Sequence, residues 1–387
     1  MTTTVTITKR GVQRARARHC WIYRSDVADA KAASPGEVVR VVDTTGRVIG
    51  RALYSSSSQI TLRFVSYDDE VVDRDFWRRR LLSAETLRKQ VVRDTTAYRL
   101  VYGESDLLPS LIVDRFDDCF VLQTLSQGMD ALKQTWIELL VELYEPRAII
   151  ERNEARVRDL EGLPRTAGVV YGSDPGELLI EEKGVRFAVN LLEGQKTGAF
   201  LDQRENRVAA AGYARGRALD CFAFQGGFAL HLARGAEHVI GVDVSVAAIA
   251  QAKRNAELNG STNVEFIEAN VFDLLRELEE KSERFDVINL DPPAFAKNRA
   301  AVDAAKRGYK EINLRAMKML SEGGTLITST CSYHMSEDAF LNVIADAAAD
   351  ARRSVQIIEK RAQARDHPVL VSMPETYYLK CLIVRVQ

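Results

Sequence analysis

The stretch RALDCFAFQGGFALHLARGAEHVIGVDV, residues 217–244, contains a strand, a glycine turn, a helix and a second strand. "RALDCF" is a short, mostly apolar run of strand length, "FALHLARG" carries helical spacing, and "HVIGVDV" is a second apolar run of strand length. Gly226 and Gly227 stand where the first strand gives way to the helix, and without side chains they let the backbone turn tightly and approach a ligand closely.

The same alternation continues to the C-terminus. Strands are predicted at "VEFIEA", "FDVINLD", "TLITSTC", "SVQIIEK" and "YYLKCLIVRV", with helices over "VAAIAQAKRNAELNG", 271–280, 301–320 and 336–349. Such order implies an α/β fold with a mostly parallel, doubly wound, Rossmann-like sheet and helices on both faces. Upstream, "ELLIEEKGVRFAVN" reads as a hairpin turning at Lys183-Gly184, leading into a polar, glycine-punctuated loop and a helix. Residues 2–66 give short β-branched runs broken by Gly and Ser, as in a small β-barrel-like domain. Over 73–92, Trp77, Leu81, Ala84 and Leu87 recur at helical spacing with arginines on other faces, and residues 97–152 suit a small α+β module. The expected division is 1–72, 73–176 and 177–387, with no internal repeat.

Composition narrows the class. Hydrophobic residues make up 46% of the 387 and charged residues 28%, so neither a disordered nor a fibrous chain is indicated. No apolar run approaches the roughly 20 residues that span a bilayer and the N-terminus lacks a secretory apolar region, so a cytoplasmic protein without membrane contact is expected. The five cysteines are odd in number and scattered, which argues against a disulfide framework, and the lone Cys331/His334 spacing has no second pair to complete a metal site. The net charge of -1 conceals a basic N-terminus: Lys9, Arg10, Arg14, Arg16, Arg18 and Arg24 precede any acidic residue.

Ligands of open α/β sheets bind beyond the carboxyl ends of the strands. Asp243 ends the second strand, 23 residues beyond Asp220, where a carboxylate can accept hydrogen bonds from both ribose hydroxyls. The G-x-G-x-x-G spacing that holds a pyrophosphate is absent, which favours a nucleoside without phosphates, such as S-adenosylmethionine. At the end of another strand, "NLDPPAFAK" presents Asp291, with two prolines fixing the backbone after it and Phe295 able to stack on a flipped base. One strand further, "TSTCSYHMS" (328–336) places Cys331 at the same edge. A thiolate adding to C6 of a pyrimidine makes C5 nucleophilic enough to take a methyl group. The competing reading makes Cys331 a small buried apolar residue, and Thr330, Ser332 and His334 beside it argue for the nucleophile.

Together "QKTGAFLDQR", "DCFAFQGGFA", "GVDVS", "NLDPPAFAK" and "STCSYHMS" resemble the class I S-adenosylmethionine-dependent rRNA methyltransferases of the large-subunit cytosine-C5 type with an N-terminal PUA domain. The early "RHCWIYRSDV" and "PGEVVRVVD" look like that PUA domain, and the likeness covers nearly the whole chain. It implies that Phe200, Gln203 and Arg204 line the cofactor, that Asp220, Ala223 and Gly226 lie at its methionine end and Asp243 on the ribose, and that Phe222 and Val244 are also cofactor-binding residues. Asn270 and Val271 would meet the adenine, Asn270 standing where the family usually has aspartate. Asp291 would hold cytosine N3 or its amine and Cys331 would attack C6, with His334 and Asp366-His367 as motif-level candidates for removing the C5 proton. RNA, expected to be 23S rRNA, is the implied partner, its phosphates met by the N-terminal cations and by Arg78, Arg79 and Arg80 unless these are only a solvated helix face; a homodimer is the assembly considered. The alternatives are a guanine N2/N7 or uracil-C5 methyltransferase and a non-catalytic RNA-binding assembly factor.

Overall fold

In the computed structural model, residues 3–193, 198–296 and 299–387 are described, apart from the side chain of Arg299. The chain folds as two compact units, Met1–Ile180 with Val189–Leu201 and Arg365–Thr376, and Glu181–Ala188 with Asp202–Ala364 and Tyr377–Gln387. The chain crosses between them five times.

The first unit opens with β1 (Thr4–Ile7), α1 (Lys9–Arg16), β2 (Trp21–Tyr23), β3 (Val27–Asp29), β4 (Val38–Val42), β5 (Val48–Tyr54) and β6 (Ile60–Ser66). Their sheet runs β2-β6-β5-β4-β1-β3, closed over Val5, Ile7, Ile22, Val39, Val41, Leu62 and Phe64. Helix α1 departs from the all-strand reading of this stretch. Thr8 caps it, accepting from the Gly11 N–H, and Val12 and Ala15 are its buried face.

Helix α2 (Arg74–Val91) follows, capped by Asp73, and then a second sheet of β7 (Ala97–Tyr102), β8 (Leu111–Phe116), β9 (Cys119–Thr124), β10 (Ala148–Asn153) and β11 (Thr166–Gly172), in the order β11-β10-β9-β8-β7. Between β9 and β11 lie α3 (Gln127–Ala131), α4 (Lys133–Tyr144) and α5 (Val157–Leu160). Trp77 of α2 meets Trp136 of α4 edge-on at 5.5 Å, in a core shared with Leu81, Leu100, Leu122 and Leu140. The arginines of α2 do not all face away as expected: Arg88 is 1% exposed, forked onto Asp106 and bonded to the Arg99 and Asp366 carbonyls. A fully paired guanidinium tolerates that burial.

A hairpin of β12 (Glu177–Glu182) and β13 (Val185–Asn190) comes next, and Lys183 and Gly184, at φ 51° and 81°, make the tight turn expected there. The second unit then alternates α6 (Arg204–Ala211), β14 (Arg217–Cys221), α7 (Gly227–Leu232), β15 (His238–Asp243), α8 (Val246–Asn259), β16 (Val264–Glu268), α9 (Val271–Glu280), β17 (Phe285–Leu290), α10 (Val302–Met319), β18 (Leu320–Thr330), α11 (Glu337–Ala351), β19 (Val355–Arg361) and β20 (Lys380–Val386). The sheet order is β16-β15-β14-β17-β18-β20-β19; β14 to β18 pair in parallel, and β20 is antiparallel to both neighbours. The strand order reverses between β14 and β17, so the carboxyl ends of β14, β15, β17 and β18 gather on one edge. No described helix is long and apolar enough to cross a membrane.

Candidate functional site

The turn after β14 is built on left-handed backbone. Phe222, Phe224 and Gly226 have φ of 65°, 48° and 84°, and the Ala223 N–H donates to the Val242 carbonyl (2.9 Å), pinning the loop to β15. A side chain at Gly226 would also come within 2.8 Å of the Phe266 ring, so glycine is required twice over. Asp243 accepts from the Phe224 N–H and the Ser245 N–H, each at 2.9 Å, and remains half-buried with lone pairs free to accept hydroxyls. Val244 beside it is exposed.

Asp220 has a different setting from that expected of it. It is fully buried, and its two oxygens accept from Asn289 Nδ2 and the Ala229 N–H, both at 2.8 Å, so its carboxylate faces the protein and holds the turn. Burial pushes its pKa up to about 7; these two hydrogen bonds pull against the rise, and the charges of Asp291 and Asp243 add to it. Asn270 likewise acts locally: as N-cap of α9, its Oδ1 accepts from the Phe272 N–H (2.9 Å), while Val271 is buried.

Asp291 stands directly after β17, with Gln203 donating to its Oδ1 at 2.8 Å. Gln203 is itself fixed by Asn206, which donates to its side-chain oxygen (2.6 Å). Gln203 therefore orients a carboxylate; Arg204 beside it is buried. Phe295 packs against Tyr309, Phe222 and Phe272, with its ring 4.7 Å from that of Tyr309, so it forms part of the apolar floor.

Cys331 stands directly after β18 and is half-buried, whereas the other four cysteines are buried. Its neighbouring hydroxyls form a clamp. Thr330 donates to the Tyr309 hydroxyl (2.8 Å), Tyr309 and Ser332 share a hydrogen bond (3.0 Å), and Ser332 accepts from the Ala296 N–H (3.2 Å). Residues on both sides of the thiol are thereby tied to α10 and to the segment after Asp291. Tyr309 gave no signal in the sequence, because its partners Thr330 and Ser332 lie 21 and 23 residues further along the chain, past the rest of α10, at the end of β18 and just after it. His334 is exposed.

Behind the glycine turn, Glu182, Arg207 and His231 form a buried network. Arg207 makes a two-pronged pair with Glu182 (2.7 and 2.6 Å), and His231 Nε2 lies 3.1 Å from the same carboxylate. Burial alone would raise Glu182; the Arg207 charge and hydrogen bonds, with His231, bring it down to about 2.

Phe200, Asp366 and His367 belong to the first unit. Phe200 is half-buried; Asp366 accepts from the Arg99 N–H (2.9 Å) and pairs with His367 (3.0 Å), both being buried. Several cations of the basic N-terminus serve the fold: Arg10 and Arg14 pair with buried Asp26, Arg18 stacks over Tyr67, and Arg24 bonds the carbonyls of residues 56–58. Lys9 and Arg16 are exposed. Of the α2 triplet, Arg78 pairs with Glu142, Arg79 lies 4.0 Å from Glu70, and Arg80 donates to the Val65 carbonyl. Gln195, Lys196 and Thr197 of "QKTGAFLDQR" and Lys297 of "NLDPPAFAK" lie outside the described residues. Among the described residues no cluster of His, Cys, Asp and Glu is arranged to hold a metal.

A doubly wound sheet with a glycine turn after its first strand is a frame that takes its ligands beyond the carboxyl ends of the strands. Residues 159–385 match the S-adenosylmethionine-dependent methyltransferase family and residues 5–67 match the PUA-like domain; the chain belongs to the S-adenosylmethionine-dependent methyltransferases. Among curated proteins it is similar to the ribosomal RNA large subunit methyltransferase I of Aliivibrio fischeri, 43% identical over 100% of both chains, and to that of Shewanella amazonensis, 43% identical over 95% of this chain and 96% of the relative. Among solved structures, a Streptococcus mutans protein described as a SAM-dependent methyltransferase superposes with a TM-score of 0.84 over 99% of this chain and 100% of its own, at 20% identity, a likeness of fold.

Proposed function

We propose that this methyltransferase modifies C5 of a cytosine in 23S rRNA through a covalent Cys331 adduct. The observation that carries the reading is the clamp: Tyr309, Thr330 and Ser332 hold the half-buried thiol on the strand edge that also bears Asp291. The relatives' name, ribosomal RNA large subunit methyltransferase I, supports the RNA class, and the PUA-like match supports RNA contact by the N-terminal region.

In this reading S-adenosylmethionine supplies an electrophilic methyl group on a sulfonium. Asp243 accepts hydrogen bonds from its ribose, with Val244 and Phe222 alongside, and Asn270 and Val271 flank the adenine. Phe200 and Arg204 belong to the same cofactor set, while Ala223, Gly226 and Asp220 shape the turn at the methionine end. Asp291, oriented by Gln203, holds the amine edge of the cytosine, and the Cys331 thiolate adds to C6 so that C5 gains electron density. After methyl transfer, loss of the C5 proton and release of the thiolate restore the aromatic ring. The division at 1–72, 73–176 and 177–387, a cytoplasmic location and a homodimer belong to the same reading.

The test is transfer of labelled methyl groups to rRNA by wild type and Cys331→Ala, with nucleoside analysis. The expected product is 5-methylcytosine, lost in the variant. Label on guanine, or full activity without Cys331, would make Asp291 the main catalytic residue of a direct transfer to nitrogen; label as 5-methyluracil would keep the thiol and change the base.

A further inference from the structure

Strand β20 runs antiparallel to β18 in a register that sets Lys380 opposite Thr330, the residue before Cys331. Opposed residues of an antiparallel pair put their side chains on the same face. Lys380 is only 4% exposed, in a strand whose other residues apart from Arg385 are apolar. Lysines are almost never buried this deeply without a partner. Its Nζ donates to the Tyr378 carbonyl (3.3 Å) and sits 5.1 Å from the Tyr377 ring centroid, yet among the described residues it forms no ion pair.

Two polar groups of the neighbouring helices have other partners. Glu337 of α11 is committed to Lys360 of β19 (2.8 Å) and to the Tyr377 hydroxyl (3.0 Å), while Tyr309 of α10 is committed to Thr330 and Ser332. Burial lowers the Lys380 pKa from its ordinary value, and the charges of Glu337 and Cys331 oppose that fall. A cation beside a thiol favours the thiolate.

We propose that Lys380 is a positioning residue for methyl transfer, its ammonium stabilising the Cys331 thiolate across the β18–β20 pair. The inference rests on Cys331 being the nucleophile. Lys380 makes and breaks no bond to the substrate; it raises the fraction of thiol ready to attack at neutral pH.

The test monitors the reaction of full-length protein, without RNA, with a neutral dipyridyl disulfide across a pH series. The Cys331 thiolate attacks one sulfur, the S–S bond breaks, and the departing pyridinethione is read by absorbance; Cys331→Ala supplies the background from the four buried cysteines. Lys380→Met is expected to move the midpoint up by about one pH unit. A thiolate population about tenfold smaller, offset by higher intrinsic nucleophilicity, then slows the reaction about threefold at neutral pH and speeds it about threefold on the alkaline plateau. Lys380→Arg should keep the wild-type profile, and Lys380→Gln serves as the neutral variant should Lys380→Met fail to melt cooperatively. An unmoved midpoint in a folded neutral variant, or an equal shift in Lys380→Arg, overturns the inference. Full methyl transfer by Cys331→Ala would instead remove the function it rests on and leave the thiol profile as measured.

Discussion

Asp220 sits where water does not reach, with the Asp291 and Asp243 carboxylates contributing to the rise of its pKa to about 7. Its ordinary value is 3.8, so between about pH 4 and 7 the folded chain holds a proton that the unfolded chain has released. Stability from this group is therefore present at low pH and falls as pH rises through that window, by up to about 1.4 kcal/mol per unit. Glu182 works in the opposite sense, losing its contribution only as pH falls from about 4.5 toward 2. Asp220→Asn should flatten the decline of melting temperature between pH 4 and 7, at a uniform cost of about 1 kcal/mol for the weakened bond to the Ala229 N–H. A melting series in which variant and wild type keep the same slope would remove the protonated-acid account. The sequence marks Asp220 by its place at a strand end but not its burial, which depends on Asn289 standing opposite it in β17.

Elements matter here through their ends. Strands β17 and β18 lie side by side, and the segments beyond their carboxyl ends are joined by the bonds of Ser332 to the Ala296 N–H and to Tyr309. Tyr309→Phe removes one hydroxyl and leaves Thr330 and Ser332, both fully buried, short of a partner. We expect a loss of about 1–3 kcal/mol in stability and a fall in methyl transfer of roughly tenfold, with cofactor affinity retained because the glycine turn and Asp243 are untouched. Denaturant titration and single-turnover assays check both halves; unchanged turnover in a destabilised variant would reduce the clamp to a packing feature. The strand and helix order of this unit was legible because each parallel strand needs a crossover helix, which writes an alternation into the chain. The clamp was not: the hydroxyls beside Cys331 speak in the sequence for a reactive thiol, and their bonds to Tyr309 emerge only once α10 is placed. Arg88 is the counterpart in the first unit: a helical pattern assigns arginine to the outside, and Asp106 with the Arg99 and Asp366 carbonyls, brought in by the fold, explains its burial.

For the molecule as a whole, the amino-terminal charge cannot be counted as free binding surface residue by residue. Arg10, Arg14, Arg18 and Arg24 have partners within the fold, whereas Lys9 and Arg16 are exposed. Replacing both with alanine should weaken rRNA binding and reduce the slope of log affinity against log salt by roughly 1.4 to 1.8, leaving cofactor binding unchanged. An unaltered slope would place the RNA-contacting charge elsewhere. Helix α1 and strand β11, and the repeated passage of the chain between its units, escaped the sequence because contacts distant in the chain decide them. The central claim, that Cys331 attacks the base, has a direct measurement: incubate the enzyme and S-adenosylmethionine with rRNA substrate carrying 5-fluorocytosine, whose C5 has no proton to lose after methylation. The account expects a denaturation-stable protein–RNA adduct that digestion maps to the Cys331 peptide and that Cys331→Ala abolishes; methylation without any adduct, or an adduct at another residue, would contradict it.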